Sequence, residues 1–452
     1  MMTTRHKNHH PFRLDNRRGE ILITQKISQS LISQQMIRPF EMTIMKLLIL
    51  LLMLFSIETN AQKVLLGIDV LQKSNYSLLD GKRVGLITNH TGVNGKLQST
   101  HDLFSRATNF KLSAVFSPEH GLKGMIGAGQ LYNDFTDSST GIIYYSLYGK
   151  THKPTKEMLE GIDVLVYDIQ DIGVRSYTYI STLGAAMEAA AENKIEFIVL
   201  DRPNPLGGIR TEGNVVEDGF DSFVSKYKIP YVYGLTCGEL AKLINSKSAL
   251  GNKIKCKLRI VNMEGWKRSM KFCDTGLSWV PTSPNVPYQE TAAYLVGTGV
   301  LGELQVCGIG ITYTLPFQTF AAEWIDGDTL ASRMNSLNLP GVIFRPLSYK
   351  PLYGDWKDKT LNGVQLHITD FDKINLLELQ FYFMQVHHQL YPDKDPLTLA
   401  TASRIKMFDK VLGTDKVRVK FSKHFRVKDI HKFLNKDLDW FRKLARRYYI
   451  YN

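Results

Sequence analysis

The stretch that decides the fold is residues 111–121, with the sequence Lys-Leu-Ser-Ala-Val-Phe-Ser-Pro-Glu-His-Gly. Residues 112–116 are an apolar, β-prone run that stops abruptly at a Ser-Pro pair, and a glycine closes the turn. Such a run predicts a strand that ends in a loop. Open α/β sheets place their active sites at the carboxyl ends of strands. Glu119 and His120, which follow this strand directly, are therefore candidate site residues.

The same alternation of strand and helix recurs on both sides of this stretch. Further strands are predicted at 82–88, 162–167 and 195–200, and helices at 98–109 and 177–193. This spacing indicates βαβ units and a parallel sheet. The strands are almost continuously apolar, which fits burial on both faces. We therefore predict an α/β fold with a Rossmann-like, mostly parallel sheet.

Four of the predicted strands end in a polar residue. These residues are Asn89, Glu119, Asp168 and Asp201, which are separated by dozens of positions in the sequence. In a parallel sheet all carboxyl ends lie at one edge, so the four side chains are expected to converge there.

The rest of the chain suggests a second domain. Residues 62–340 are assigned to the Rossmann-like catalytic domain and residues 341–452 to a smaller α+β C-terminal domain, with a strand at 361–368 and helices at 372–390 and 426–449. Within the first domain, residues 279–287 contain three prolines and cannot form a helix. That loop, which carries Asn285, is either a wall of the site or a connector with a buried Trp279.

Residues 45–61 have the pattern of a secretory signal peptide. Met45 and Lys46 begin it, an apolar run at 47–57 follows, and small residues precede Ala61. The run is short for a membrane span, so we predict cleavage after Ala61 and secretion across the inner membrane to the periplasm or the cell exterior. We expect Met45 to be the true start, and residues 1–61 to be an N-terminal extension plus signal peptide. The alternative is a disordered basic tail before an internal anchor.

Composition and charge narrow the class of protein. With 44% hydrophobic and 22% charged residues in 452, the chain is an ordinary globular protein long enough for two or three domains. The first 61 residues hold eight Lys/Arg and four Asp/Glu, which leaves +9 of the net charge of +13 to the mature chain. A basic balance favours anionic partners such as cell wall, and export disfavours nucleic acid. The four cysteines have no Cys-x-x-Cys spacing, so no zinc site is predicted; a disulfide of undetermined pairing is compatible with an oxidising compartment.

A dense polar cluster follows the strand at 162–167. It contains Asp168, Asp171, Arg175 and Tyr177 and leads into a helix. One residue of this segment could simply cap that helix, but capping does not need all four. The amino end of the helix adds a field that favours anions.

Other residues have two open interpretations. Glu119 could act as a general acid or pair with a surface base, and His120 could orient Glu119 or the substrate, or only bond within its loop. Asp201 and Arg202 could pair with each other, or Arg202 could clamp a substrate carboxylate. The glycines at 121–129 lack nucleotide-binding spacing, which favours a flexible lid or a loop that binds no phosphate. His90, Glu119, His120 and Asp168 could supply metal ligands, but no spacing signals a metal site.

Five motifs in order resemble the exo-β-N-acetylmuramidase family of bacterial glycoside hydrolases. They are Thr88-Asn-His-Thr-Gly92, Phe116-Ser-Pro-Glu-His-Gly121, the segment from Asp168 to Tyr179, Asp201-Arg-Pro-Asn204-Pro, and Pro281-Thr-Ser-Pro-Asn285. The resemblance implies a Rossmann-like catalytic domain, a smaller C-terminal domain and a cleft between them. It also implies release of N-acetylmuramic acid from non-reducing ends of peptidoglycan fragments, with Glu119 as the catalytic acid.

The chain departs from the family pattern after the proline-rich loop. Family members carry an arginine there, whereas no Lys or Arg occurs between Thr291 and Ser332, a stretch that contains Glu303. If the family arginine binds the lactyl carboxylate of muramic acid, Arg175 or Arg202 would have to replace it. Otherwise the substrate is a related amino sugar.

The sequence therefore predicts an exo-acting glycosidase with peptidoglycan-derived glycan as its partner, without a metal or cofactor and without a membrane span in the mature chain. Glu119 is the predicted acid, His120 its helper, and Asp168 or Asp171 the second carboxylate that glycosidases commonly use. The predicted substrate-binding residues are Asn89, His90, Arg175, Tyr177, Asp201, Arg202, Asn204, Asn285 and Glu303. The alternatives are a non-catalytic glycan-binding protein of the cell wall and a metal-dependent hydrolase.

Overall fold

A seven-stranded sheet forms the centre of the first half of the protein. The computed structural model describes residues 63–127, 129–246 and 254–452, so the predicted extension and signal peptide at 1–61 lie outside the described residues. The strands of this sheet are β1 Arg83–Thr88, β2 Lys111–Ser117, β3 Phe135–Thr136, β4 Ile143–Ser146, β5 Val164–Asp168, β6 Glu196–Leu200 and β7 Lys257–Val261.

The strand order is β3-β4-β2-β1-β5-β6-β7, and every neighbouring pair except β3–β4 is parallel. The predicted fold class is thus confirmed. β1 and β5 are in register so that Thr88 pairs with Asp168 at their carboxyl ends. β2, β1, β5 and β6 are adjacent, which brings the four predicted polar strand ends to one edge of the sheet.

The second sheet is small and antiparallel. It has the order β8-β10-β9, formed by β8 Thr319–Ala322, β9 Val342–Tyr349 and β10 Leu361–Ile368. Its apolar face packs with helices into one core that includes Phe320, Phe344, Val364 and Phe383. An antiparallel sheet covered by helices on one side is the α+β arrangement expected for this part of the chain.

Helices cover both sheets. In the described residues they are α1 Gly67–Lys73, α2 Thr100–Ser105, α3 Tyr179–Glu192, α4 Cys237–Ser246, α5 Thr291–Gly302, α6 Gly327–Asn335, α7 Leu379–Leu390, α8 Pro396–Leu399, α9 Ala402–Leu412, α10 Lys416–Phe421, α11 Val427–Leu434 and α12 Leu438–Ala445. The single helix predicted at 426–449 is two helices, because the chain turns at Asp437, whose φ is 63°. None of the described helices is both long and apolar enough to cross a membrane.

The chain end returns to the first sheet. The hydroxyl of Tyr451 donates to Asp201 Oδ2 at 2.7 Å, and the backbone N–H of Ile450 donates to Glu239 at 2.9 Å. The guanidinium of Arg268 lies 3.3 Å from the centre of the Tyr449 ring. These contacts attach the last residues, more than 180 positions away in sequence, to the carboxyl end of β6.

One buried histidine makes the stability depend on pH. His387 on α7 is inaccessible to solvent, and its Nε2 accepts a hydrogen bond from Trp324 at 3.0 Å. Burial, with a smaller contribution from neighbouring His388, lowers the pKa of His387 from 6.5 to about 4. Since the unfolded chain takes up this proton at higher pH than the folded chain, the stabilisation is complete above pH 6.5 and is lost as the pH falls towards 4.

We expect His387 to account for a loss of about 2 kcal/mol of stability between pH 7 and pH 5. The variant His387→Gln retains an acceptor for Trp324 but does not titrate, so its thermal unfolding should shift less between the two pH values. His424→Gln, at an exposed histidine, should behave like the unaltered protein. An equal pH response in all three proteins would show that His387 does not titrate in this way.

Candidate active site

Glu119 lies just beyond the carboxyl end of β2 and is half-buried. Its Oε1 accepts a hydrogen bond from the backbone N–H of Gly129 at 2.9 Å, and its Oε2 accepts one from Thr178 Oγ1 at 2.8 Å. Tyr148 also lies beside it: burial and, second, the negative Glu119 carboxylate raise the pKa of Tyr148 to about 12. The carboxylate is thus held in one orientation at the edge where the strands end.

His120 shapes the loop that contacts Glu119. Its backbone has a φ of 73°, and its side chain is buried, with Nδ1 2.7 Å from the Ile126 carbonyl oxygen. The Ile126 N–H donates back to the His120 carbonyl at 3.3 Å. These two contacts between His120 and Ile126 fold residues 121–127 over the histidine. The predicted helper of Glu119 therefore acts on the loop that leads to Gly129.

Gly124 allows this loop to lie against His90. Its φ is +70°, and a Cβ at this position would lie 2.3 Å from atoms of the His90 ring. Even an alanine would clash with the ring and would be strained in this conformation. The glycine pattern noted in the sequence thus serves close packing in the site.

The proline-rich loop forms a wall beside these residues. His90 Nε2 contacts the carbonyl oxygen of Pro281, and the hydroxyl of Tyr177 donates to Thr282 Oγ1 at 2.9 Å. The hydroxyl of Tyr179 donates to the Thr282 carbonyl at 2.6 Å. Burial lowers the pKa of His90, so its ring is neutral near pH 7 and the proton on Nε2 can bond Pro281. The loop is thus attached to three residues at this edge of the sheet, and its Trp279 is half-buried.

Asp168 is occupied by protein partners. Arg202 binds it in bidentate fashion, with Nε 2.6 Å from Oδ1 and Nη2 2.9 Å from Oδ2, and Thr100 donates to Oδ2 as well. Asp168 is fully buried and Arg202 almost so. Arg202 does form the carboxylate clamp that the sequence suggested, but the carboxylate is that of Asp168. Both oxygen atoms of Asp168 are thus engaged within the protein, whereas Arg202 uses Nε and Nη2 for this clamp.

Asp171 is also in the interior. Its Oδ2 accepts hydrogen bonds from the Gly173 N–H at 2.7 Å and from the hydroxyl of Tyr233. Burial raises the pKa of Asp171 to about 6, although both hydrogen bonds act in the opposite direction. Neither predicted second carboxylate therefore lies open at the site.

Arg175 is the largest fully buried side chain among the described residues. All five of its N–H donors face protein oxygen atoms, so none is left for a substrate. Arg175 therefore does not take the place of the arginine expected after the proline-rich loop. Arg202 uses Nε and Nη2 for Asp168 and the Val93 carbonyl, so its Nη1 group is the one that could still meet a substrate.

The other predicted residues divide between the interior and the wall. Asp201 is buried and accepts hydrogen bonds from Thr236, Tyr451 and two backbone N–H groups; burial raises its pKa to about 6. Asn204 is buried, bonded to backbone atoms of Leu206 and Leu235.

The amide oxygen of Asn89 accepts from Thr91, and its buried Nδ2 has no partner. Asn285 is half-exposed on the proline-rich loop, and Glu303 is half-buried after α5. Burial raises the pKa of Glu303, and the nearby Arg404 opposes this. Of these three residues, Asn89 directly follows β1, so it lies at the edge of the sheet where Glu119 lies.

Sequence reasoning missed three groups around Glu119, namely Gly129, Thr178 and Tyr148. Thr178 stands next to Tyr177 within a quoted motif, and Tyr148 follows β4. Residues 142–147 are a short run rich in apolar and aromatic residues, and β4 within it is a parallel neighbour of β2 that ends at the same edge. The rule that parallel strands end at one edge, applied to this run, would have found Tyr148.

The described residues contain no group of three or more His, Cys, Asp or Glu side chains that could hold a metal ion. All four cysteines, which lie in the described ranges, are free. The groups that contact Glu119 are the Gly129 N–H, the Thr178 hydroxyl and the Tyr148 side chain.

Comparison with known proteins assigns the family. Residues 84–290 match the family described as exo-β-N-acetylmuramidase NamZ, N-terminal, and residues 294–451 match its C-terminal counterpart. The chain belongs to the NamZ family. The resemblance inferred from the five motifs is thereby confirmed. The two family regions meet between residues 290 and 294, whereas the domain boundary predicted from the sequence lies after residue 340.

Three relatives illustrate the match. The peptidoglycan β-N-acetylmuramidase NamZ of Bacillus subtilis (strain 168) is 42% identical over 389 residues, which cover 86% of this chain and 92% of that protein. A crystal structure of a DUF1343 family protein from Bacteroides fragilis NCTC 9343 is 53% identical with a TM-score of 0.82. A second DUF1343 family protein from that strain is 25% identical with a TM-score of 0.70. Each structure match covers 86% of this chain and 99% of the other.

Proposed function

We propose that this protein is an exo-acting glycoside hydrolase that releases N-acetylmuramic acid, or a closely related amino sugar, from the non-reducing ends of peptidoglycan fragments. Membership of the NamZ family supports the reaction. The observation that carries it is the placement of Glu119: a half-buried carboxyl group at the edge of the sheet, with each oxygen held by one donor.

In this proposal Glu119 protonates the oxygen of the bond that breaks, water supplies the hydroxyl group that the anomeric carbon receives, and the remaining proton of that water restores the acid. A general acid must lie within hydrogen-bond reach of that oxygen and keep its orientation while the bond opens. The Gly129 N–H and the Thr178 hydroxyl fix the carboxyl group, and Thr178 lies directly before α3, so its position is set by the helix. Asp168 and Asp171 would then support this edge of the sheet from behind rather than react with the substrate.

The identity of the released sugar tests the proposal. We expect incubation with a disaccharide that ends in N-acetylmuramic acid to yield free N-acetylmuramic acid, while a disaccharide that ends in N-acetylglucosamine stays intact. Chromatography with mass detection of the products measures both. Release of N-acetylglucosamine would identify the related amino sugar. No cleavage of either disaccharide, together with retention on wall glycan, would favour the non-catalytic binding protein.

We further propose that the protein is secreted across the inner membrane and acts in the periplasm or outside the cell. The support is the signal-peptide pattern at 45–61 and the location of the substrate. The exported protein is expected to begin at Gln62, which N-terminal sequencing measures. A cytoplasmic protein that retains residues 45–61 would contradict this.

A further inference from the structure

Three aromatic rings form a row that begins at Glu119. The centroids of Tyr148 and His152 lie 5.3 Å apart with the rings edge to face, and those of His152 and Phe223 lie 4.3 Å apart with the rings stacked. Tyr148 is the ring whose hydroxyl lies next to the Glu119 carboxylate. We call Tyr148, His152 and Phe223 the aromatic platform.

The platform is open to solvent but held by the protein. His152 is exposed, and Tyr148 and Phe223 are half-buried. His152 Nδ1 lies 3.3 Å from the Leu147 carbonyl oxygen, and the Phe223 carbonyl accepts a hydrogen bond from Ser181 on α3 at 2.6 Å. Rings supported from two elements lose little conformational freedom when a ligand binds, which favours binding.

Other neighbours of Glu119 are buried. His120 follows it in the chain and Tyr179 follows Thr178; both side chains are buried, and the hydroxyl of Tyr179 donates to the Thr282 carbonyl of the proline-rich loop. Given the proposed exo-acting hydrolysis, the remaining glycan must extend out of the site. The platform leads from Glu119 to the exposed ring of His152 and so gives the glycan a path to solvent.

We propose that the aromatic platform binds the sugar ring on the leaving-group side of the bond, the one that stays attached to the rest of the glycan. Aromatic rings carry a negative face, and the C–H groups on one face of a pyranose ring are its apolar side, so the two surfaces are complementary. This inference rests on the proposed function. It assigns the platform the recognition of the glycan and leaves the proton transfer to Glu119.

The test compares two substrates that share the released sugar. One is a disaccharide with N-acetylmuramic acid linked to N-acetylglucosamine; the other is the methyl β-glycoside of N-acetylmuramic acid, which has no second ring. We expect Phe223→Ala and His152→Ala each to lower kcat/KM for the disaccharide about tenfold, as loss of a stacking contact would, and to leave kcat/KM for the methyl glycoside unchanged. Phe223→Tyr keeps a ring and should retain full activity on both.

Matched controls are Tyr288→Ala and Tyr353→Ala, which remove aromatic rings that are 62% and 54% exposed and lie outside the platform. These two variants should leave kcat/KM unchanged for both substrates. Thermal unfolding of each variant shows whether it is folded. Equal losses on both substrates, or no loss on the disaccharide in a folded Phe223→Ala, would overturn the platform assignment. If the unaltered protein cleaves neither substrate, the proposed function itself fails, which is a separate outcome.

Discussion

Glu119→Gln is expected to lower kcat for the disaccharide by about 10²–10⁴-fold, with little change in KM. A glutamine has almost the same shape as the glutamic acid but cannot deliver a proton to the leaving oxygen. Its amide oxygen can still accept the hydrogen bond from the Gly129 N–H, and its amide group can still bond the Thr178 hydroxyl. The fold and the binding of the sugar should therefore survive while the chemical step is lost.

The control for this variant is Glu160→Gln. Glu160 is an exposed glutamate outside the site, so the same chemical change there should leave kcat unaffected. Steady-state kinetics on both variants, with thermal unfolding to show that each is folded, complete the comparison. Full activity of a folded Glu119→Gln would mean that another group donates the proton, and the mechanism proposed here would be wrong.

The position of Glu119 could be predicted because it depends on a geometric rule. Parallel strands end at one edge of their sheet whatever the side chains are, so strand positions and strand ends were sufficient. The structure confirms adjacent parallel strands ending at Thr88, Ser117, Asp168 and Leu200. A family motif at Glu119 and the strand-end rule led to the same residue.

The arginines could not be predicted in the same way. Sequence position placed Arg175 and Arg202 at the right edge of the sheet, but which way each side chain points depends on partners elsewhere in the chain. Arg202 binds Asp168, 34 positions before it, and Arg175 binds Val411 and Leu412, more than 230 positions after it. Pairings over such distances follow from the packing of the whole chain, which no local pattern encodes.

The contacts of the two arginines limit which groups can bind the lactyl carboxylate of a substrate. No Lys or Arg occurs between Thr291 and Ser332, and all five N–H groups of Arg175 face protein oxygen atoms. Arg202 uses Nε and Nη2 for Asp168 and the Val93 carbonyl. If this enzyme selects N-acetylmuramic acid, the contact with the lactyl carboxylate therefore comes from Nη1 of Arg202 or from neutral groups such as those of Asn89, His90 and Tyr177. Product analysis with the two disaccharides measures whether the protein selects N-acetylmuramic acid without the arginine expected after the proline-rich loop.

The buried guanidinium of Arg175 connects distant parts of the chain. Nη1 donates to the carbonyls of Asn214 at 2.7 Å and Ile229 at 2.8 Å, and Nη2 donates to those of Val411 at 2.9 Å and Leu412 at 2.8 Å. Nε is 3.2 Å from Ser225 Oγ. Burial lowers the pKa of Arg175 to about 9, so the group is still protonated near pH 7. One planar side chain thus satisfies oxygen atoms from three separate segments, including the end of α9.

Arg175→Met is therefore expected to destabilise the protein by about 3–5 kcal/mol, or to prevent its folding, because it leaves buried carbonyl oxygens without donors. Arg175→Lys keeps the charge but loses the planar fork, so its stability should lie between that of the unaltered protein and that of Arg175→Met. Arg83→Met is the matched control: Arg83 pairs with Asp163 at the exposed surface, where such a pair contributes about 0–1 kcal/mol. Thermal and urea unfolding measure all three. A stable, active Arg175→Met would show that water or a shifted chain can replace the guanidinium, and the structural role assigned here to Arg175 would be wrong.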